Sequence, residues 1–135
     1  MVRARRARLL IADDHHLIRA SLQQMLAGEP DLTVVGEATT GQEALALCRQ
    51  RQPDLVLMDL RMPELGGLAA TAVITRTFPQ IRVMVLSISE FSGSLVQARQ
   101  AGAAGYLFKE ATQAELVSAI RQVLQGRSVF PSQLP

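Results

Sequence analysis

Asp13 and Asp14 follow the apolar run LLIA, Asp59 follows LVLM, Ser87 follows VMVL and Lys109 follows YLF. Three carboxylates, a hydroxyl and an ammonium are the groups that hold a hard cation and a phosphate. Gathered in one place, the carboxylates would repel one another and raise one another's pKa. A divalent cation relieves that repulsion. Mg2+ suits the donors, because it is held by one or two carboxylates together with waters and phosphate oxygens. Lys109 and Ser87 would then grip an anion from the opposite side. An aspartate of the set can serve as the nucleophile of a phosphoryl transfer, forming an acyl phosphate. Lys109 is also the sole lysine among the 14 basic residues. A chain that chooses arginine everywhere else asks for a compact ammonium here, since the two groups are not interchangeable.

These residues can meet only if the runs before them are neighbours. Short apolar runs at 9–12, 33–38, 54–60, 81–87 and 105–108 alternate with helical patterns over 15–27, 40–52, 68–75, 91–101 and 112–126. Gly28 with Pro30, Pro53, Pro79 and Gly126 punctuate them. Thr40 with Glu43, and Thr112 with Glu115, have the spacing of capping boxes. Gly93 weakens the pattern of the fourth helix. Five β–α units of this kind predict an α/β fold, a doubly wound parallel sheet with helices on both faces. The near-continuous apolar strands agree, since such strands are buried on both sides. In the flavodoxin-like order 2-1-3-4-5 every strand ends at one rim, with the crevice between the first and third strands. Asp13, Asp14 and Asp59 would flank that crevice.

Taken singly, each residue has a plainer reading. Asp13 or Asp14 would be a helix cap, Ser87 a turn residue and Lys109 a solvated charge. The joint placement on one rim is what singles them out. His15 and His16, beside two aspartates, raise a transition-metal site. The expectation runs against it, because consecutive residues at a helix start point in different directions and oxygen donors favour Mg2+.

The chain has 135 residues, 48% hydrophobic and 19% charged, with a formal net charge of +2. That is enough apolar material for one core and too little charge for a disordered segment. No run approaches a membrane span, and the start, MVRARRAR, lacks the apolar core of a secretory signal, so export is not expected. The single Cys48 excludes an internal disulfide and a cysteine zinc cluster, and reads as a packing residue in a reducing, cytoplasmic setting. Arg3, Arg5, Arg6 and Arg8 lie in the first eight residues, and the other ten basic residues face twelve acidic ones. Residues 1–8 therefore read as a basic, solvated tail, and 127–135 as the beginning of a linker.

The segments IADDHHLIRASL, LVLMDLRMPELGG, VMVLSIS and AGAAGYLFKE resemble those of a response-regulator receiver domain over 9–126. The DDHH start and the spacing from Tyr106 to Lys109 look like the LuxR/NarL-type subfamily. The resemblance implies that Asp59 accepts a phosphoryl group from a sensor histidine kinase. It implies that Asp13, Asp14, Asp59 and the backbone carbonyl of Arg61 hold Mg2+, and that Ser87 and Lys109 bind phosphoryl oxygens. Ser87 would shift on phosphorylation and Tyr106 would turn inward behind it. The domain would catalyse only its own phosphorylation and dephosphorylation and would form a homodimer when phosphorylated. It would act on transcription through a helix-turn-helix DNA-binding domain joined by the linker, with no membrane partner.

Two positions depart from the common pattern. Glu110 stands where many receivers carry proline, so a cis turn after Lys109 is not assumed. Ile88 stands where many carry alanine, and its branched bulk would restrict access. An aspartyl-phosphate phosphatase is the main rival, but Arg61 occupies the position where such an enzyme needs its second aspartate. A dinucleotide enzyme lacks G-x-G-x-x-G after the first strand. A phosphorylation-dead interaction domain would not retain the full acidic set and Lys109.

Overall fold

The computed structural model describes residues 5–88 and 93–131. Five parallel strands, β1 (Ala7–Ala12), β2 (Leu32–Ala38), β3 (Leu55–Asp59), β4 (Arg82–Ser87) and β5 (Gly105–Phe108), form one sheet in the order β2-β1-β3-β4-β5. The helices are α1 (His16–Ala27), α2 (Gly41–Arg51), α3 (Gly67–Thr77), α4 (Ser94–Gln100) and α5 (Gln113–Leu124). The flavodoxin-like α/β fold anticipated from the sequence is the one observed.

The two faces of the sheet carry separate cores. Alternate strand residues Leu10, Val56, Met58, Val83 and Val85 pack with α2, α3 and α4 through Ala44, Cys48, Ala70, Ile74, Leu95 and Ala98. Leu9, Ile11, Leu55, Leu57, Met84 and Leu86 pack with α1 and α5 through Leu22, Leu26, Leu116, Ile120 and Val123. The strands are apolar throughout because each side chain, up or down, meets a helix layer. Cys48 is fully buried, as expected of a packing residue, and burial pushes its thiol up to about 12.

The helix starts differ in detail. The Thr112 hydroxyl accepts from Glu115 N–H at 3.1 Å, and Thr112 N–H donates to Glu115 Oε1 at 2.8 Å, completing a capping box. At α2 the box expected of Thr40 and Glu43 is half formed. Thr40 accepts from Glu43 N–H at 3.0 Å, but the Glu43 carboxylate reaches back one residue further, to Thr39 N–H at 2.6 Å. The fourth helix is shorter than the expected 91–101. It starts at Ser94, with Gly93 as its cap, while Phe91 and Ser92 lie outside the described residues.

Both ends of the domain are tied to the sheet. β1 begins at Ala7, so Ala7 and Arg8, expected in a solvated tail, are strand residues. Asp54 causes this, accepting from Arg8 N–H at 2.7 Å and from the Arg5 guanidinium at 2.6 Å. At the other end, residues expected to open a linker return to β5. Val129 bridges Gly105 in parallel, and its carbonyl accepts from Tyr106 N–H at 2.8 Å. The Phe130 ring lies beneath the Arg99 guanidinium, 4.2 Å from it.

Candidate functional site

The rim formed by β1, β3, β4 and β5 brings the five expected side chains together. Asp13 and Asp59 are buried, at 1% and 3% exposure, although both are carboxylates. Lys109 stands between them, with Nζ 3.1 Å from Asp13 Oδ2 and 2.8 Å from Asp59 Oδ1. The backbone N–H of Lys109 donates to the Ser87 carbonyl at 2.7 Å, which fixes the end of β5 against β4. Ser87 is buried, and its hydroxyl donates to the Ile88 carbonyl at 3.2 Å. Asp14, next along the chain, is one-third exposed at its side chain.

Neither aspartate after β1 acts as the side-chain cap of α1. The cap position is His15, without a side-chain hydrogen bond. Asp13 instead closes a tight local turn, its Oδ1 accepting from His15 N–H at 2.8 Å. This leaves Oδ2 for Lys109. The turn also delivers the His15 ring to the acidic groups, with Nδ1 3.2 Å from Asp13 Oδ1 and 3.1 Å from Asp14 Oδ1. The divergence expected of consecutive residues holds for His16, which does not join the cluster, but not for His15. His15 is the site residue that sequence reasoning set aside, and the DDHH run was the signal for it.

The position of Asp59 depends on α3 behind it. A Cβ on Gly67 would lie 2.0 Å from the Asp59 carbonyl oxygen, so only glycine lets the first turn of α3 approach this closely. Gly67 N–H donates to the Leu60 carbonyl at 3.1 Å and locks the loop between them.

One oxygen of the site is left over. Asp59 Oδ2 is buried and has no hydrogen-bond partner, the one such side-chain atom among the described residues. Burial pushes the Asp59 carboxyl above its usual range and the Asp13 charge reinforces it; the Lys109 hydrogen bond and charge and the backbone N–H of Arg61 oppose it. Burial by itself would lower the Lys109 ammonium, but hydrogen bonds and charge from Asp59 and Asp13 outweigh it and raise it. An unpaired carboxylate oxygen is costly in such surroundings and is a ready ligand. Asp13, Asp14, His15 and Asp59 each place one donor atom within 4.8 Å of the others. The acidic cluster therefore fits a divalent cation.

A cavity of about 240 Å³ opens onto Asp59, lined also by His15, Arg61, Ser87, Ile88 and Lys109. Ile88, 37% exposed, lines this cavity. Tyr106 is fully buried, its ring edge-on to Phe108 at 5.9 Å. Its strand neighbour is Val85, two residues before Ser87 and on the same side of β4. The ring expected to turn inward is thus already inward in this structure. The peptide after Lys109 is trans, as among all described residues.

A protein-family model, the response regulator receiver domain, matches residues 9–121. The chain belongs to this family. The receiver is 43% identical over 127 residues to the response regulator GacA of Pseudomonas aeruginosa, covering 94% of this chain and 59% of that protein. It is 40% identical over 126 residues to UvrY of Escherichia coli, covering 93% and 58%. The chain thus spans about three fifths of the length of the curated relatives it matches. Among solved structures, a LuxR-family two-component response regulator from Aurantimonas sp. superposes with a TM-score of 0.86 at 36% identity, over 92% of this chain and 89% of that one. The signal receiver domain of NarL from Mycobacterium tuberculosis superposes with a TM-score of 0.85 at 35% identity, over 91% and 99%. The receiver is of LuxR/NarL type. No helix among the described residues is long and apolar enough to cross a membrane.

Proposed function

We propose that this receiver takes a phosphoryl group onto Asp59 from a phosphohistidine of a sensor kinase, in the cytoplasm, and passes the change to a DNA-binding output that controls transcription. The observation that carries this reading is the buried Asp59 carboxylate, on the wall of a cavity with Lys109 at 2.8 Å and with donor atoms of two further aspartates within 4.8 Å. Asp59 Oδ2 attacks phosphorus, the bond from phosphorus to the kinase histidine nitrogen breaks, and that nitrogen leaves with the bonding pair. Lys109, already 2.8 Å from Asp59 Oδ1, needs only a small movement to meet a phosphoryl oxygen. The Ser87 hydroxyl exchanges its local acceptor, the Ile88 carbonyl, for another phosphoryl oxygen.

Asp13, Asp14, Asp59 and the Arg61 carbonyl would hold Mg2+, which supplies charge neutralisation for the attacking and transferred oxygens. Oxygen donors and an orphaned buried carboxylate oxygen suit that ion. The phosphate adds about −1.5 to −2 charge beside Ser87 and Lys109. That local event biases the surface formed by α4, β5 and α5 and favours a homodimer. The domain catalyses no reaction beyond phosphorylation and hydrolysis at Asp59. Intact-mass measurement with a small phosphodonor and Mg2+ tests the reading. One added phosphate is expected in wild type and none in Asp59→Asn; equal labelling of the variant would overturn it.

A further inference from the structure

We infer that the end of the sheet opposite Asp59 is an electrostatic docking surface of the receiver itself for the phosphodiester backbone of duplex DNA. The proposed DNA-binding output is what brings a duplex within reach; the fold supplies the charge. All five strands start at this end, and the helices that return the chain finish there. The last turns of α2, α3, α4 and α5 carry Arg49, Arg51, Arg76, Arg99 and Arg121. The starts of β1 and β4 add Arg5, Arg6, Arg8 and Arg82, and Arg127 follows α5. Ten of the thirteen arginines therefore lie at one end, where the described acids are Glu29, Asp31 and Asp54. The net charge of +2 conceals this separation.

A plainer account is that the arginines complement the helix dipoles. Each helix end carries about half a negative charge, so five ends offset less than half of the surplus of cations over acids. Nor are most of the guanidiniums neutralised singly. Arg5 is paired with Asp54, and Arg121 with Glu29 and Asp31. Arg8, Arg51 and Arg82 donate to the carbonyls of Gln52, Val35 and Val123, which fixes the groups without cancelling their charge. Arg6, Arg76 and Arg127 are exposed and make no ion pair among the described residues. A concavity of about 420 Å³ is lined by Arg5, Arg6, Arg82 and Gln80, with Asp54 in its wall. Gly126, the residue before Arg127, adjoins Arg82. Guanidinium suits such a partner because its planar fork meets two phosphate oxygens at once. A lipid surface fits less well. The exposed large apolar side chains among the described residues, Leu17, Ile88 and Val96, stand at no strand start and no helix end, so this end has no apolar group to insert.

The test is fluorescence anisotropy of the intact 135-residue chain with a labelled DNA duplex of about 20 base pairs, titrated at several KCl concentrations. Weak, sequence-independent binding is expected. Its affinity should fall with salt on a log–log slope of about −3, the release expected for three phosphate contacts. Arg6→Glu combined with Arg127→Glu touches no hydrogen-bonded side chain and is expected to weaken binding at least about 10-fold and flatten the slope to about −1. Glu110→Gln makes the chain more positive at the opposite end and is expected to leave binding unchanged. Absence of binding at about 20 mM KCl overturns the inference. So does a Glu110→Gln gain as large as the arginine loss, which would make net charge the cause. Tighter binding to vesicles containing phosphatidylglycerol than to the duplex also overturns it. Asp59 phosphorylation, read by mass on the same samples, is expected to be equal in wild type and the arginine variant, so a failure of DNA binding leaves that chemistry standing.

Discussion

Two clusters in this receiver have the same make-up, one cation facing two carboxylates, and they behave as opposites. At the rim, Lys109 lies between Asp13 and Asp59, with side-chain exposures of 15%, 1% and 4%. On the far side, Arg121 of α5 meets Glu29 at 2.6 Å and Asp31 at 2.9 Å, with exposures of 42%, 24% and 50%. The guanidinium serves both Asp31 oxygens, through Nη2 and, at 3.0 Å, through Nε. The ammonium leaves Asp59 Oδ2 without a partner. A planar fork completes a pair and closes it. A point charge in a buried setting holds two acids together while leaving a coordination position open. The surface cluster is thus a tie between α5 and the α1–β2 turn, and the rim is a site kept short of one ligand.

The largest effect expected from breaking this contrast is at the rim. Lys109→Met leaves two buried carboxylates facing each other without a cation. Removing one partner of a buried charge group costs about 3 kcal/mol. In EDTA the variant should lose that much stability. Added Mg2+ should return part of it, because an ion that binds only the folded state stabilises that state. Denaturant unfolding with and without Mg2+ measures both quantities. A variant as stable as wild type in EDTA would show that Lys109 is not what keeps Asp13 and Asp59 together.

A gentler change keeps the charge and alters its shape. In Lys109→Arg the guanidinium is wider than the ammonium and cannot sit between Asp13 Oδ2 and Asp59 Oδ1 at their present separations without displacing a neighbour. Phosphorylation of Asp59 should persist. The response of the α4–β5–α5 surface should be lost, because it needs a small cation drawn onto the new phosphate. Amide exchange around Tyr106, compared at equal phosphorylation, reads this directly. Equal protection in variant and wild type would mean that charge alone matters at this position.

What the sequence made legible follows the same contrast between local and distant causes. Four of the five apolar runs end in polar residues, and that was enough to place Asp13, Asp59, Ser87 and Lys109 on one rim, because parallel strands share an end. The sheet order came with them. The errors lie where a distant partner decides. Arg8 reads as tail, yet Asp54, across the gap to β3, captures its amide and extends β1. Val129 and Phe130 read as linker, yet the open edge of β5 takes one and Arg99 covers the other. His15 was missed for a geometric reason: the helix-start rule ignores a turn closed by the preceding Asp13 side chain. Glu43 was misassigned by one residue because Thr39 competes with Thr40 for its carboxylate.

The smallest effect is expected at the surface cluster, and its sign separates the two clusters. The Arg121 hydrogen bonds hold the Asp31 carboxyl below its usual range, against the opposing effect of desolvation. A carboxyl whose folded pKa is depressed contributes stability that is complete above its unfolded pKa. That stability is lost as pH falls through the folded value. Arg121→Gln removes the donor and restores an ordinary carboxyl. The variant and wild type should therefore melt nearly together in strong acid, separate as pH rises through the depressed folded value, and keep the full gap above the usual carboxylate range, about 4. The separation should stay small, because exposed pairs in water and salt contribute little, and added salt should shrink it further. Melting curves between about pH 2 and 7 decide the matter. A gap of the same size at every pH would assign the role of Arg121 to packing of its stem against the turn rather than to its charge.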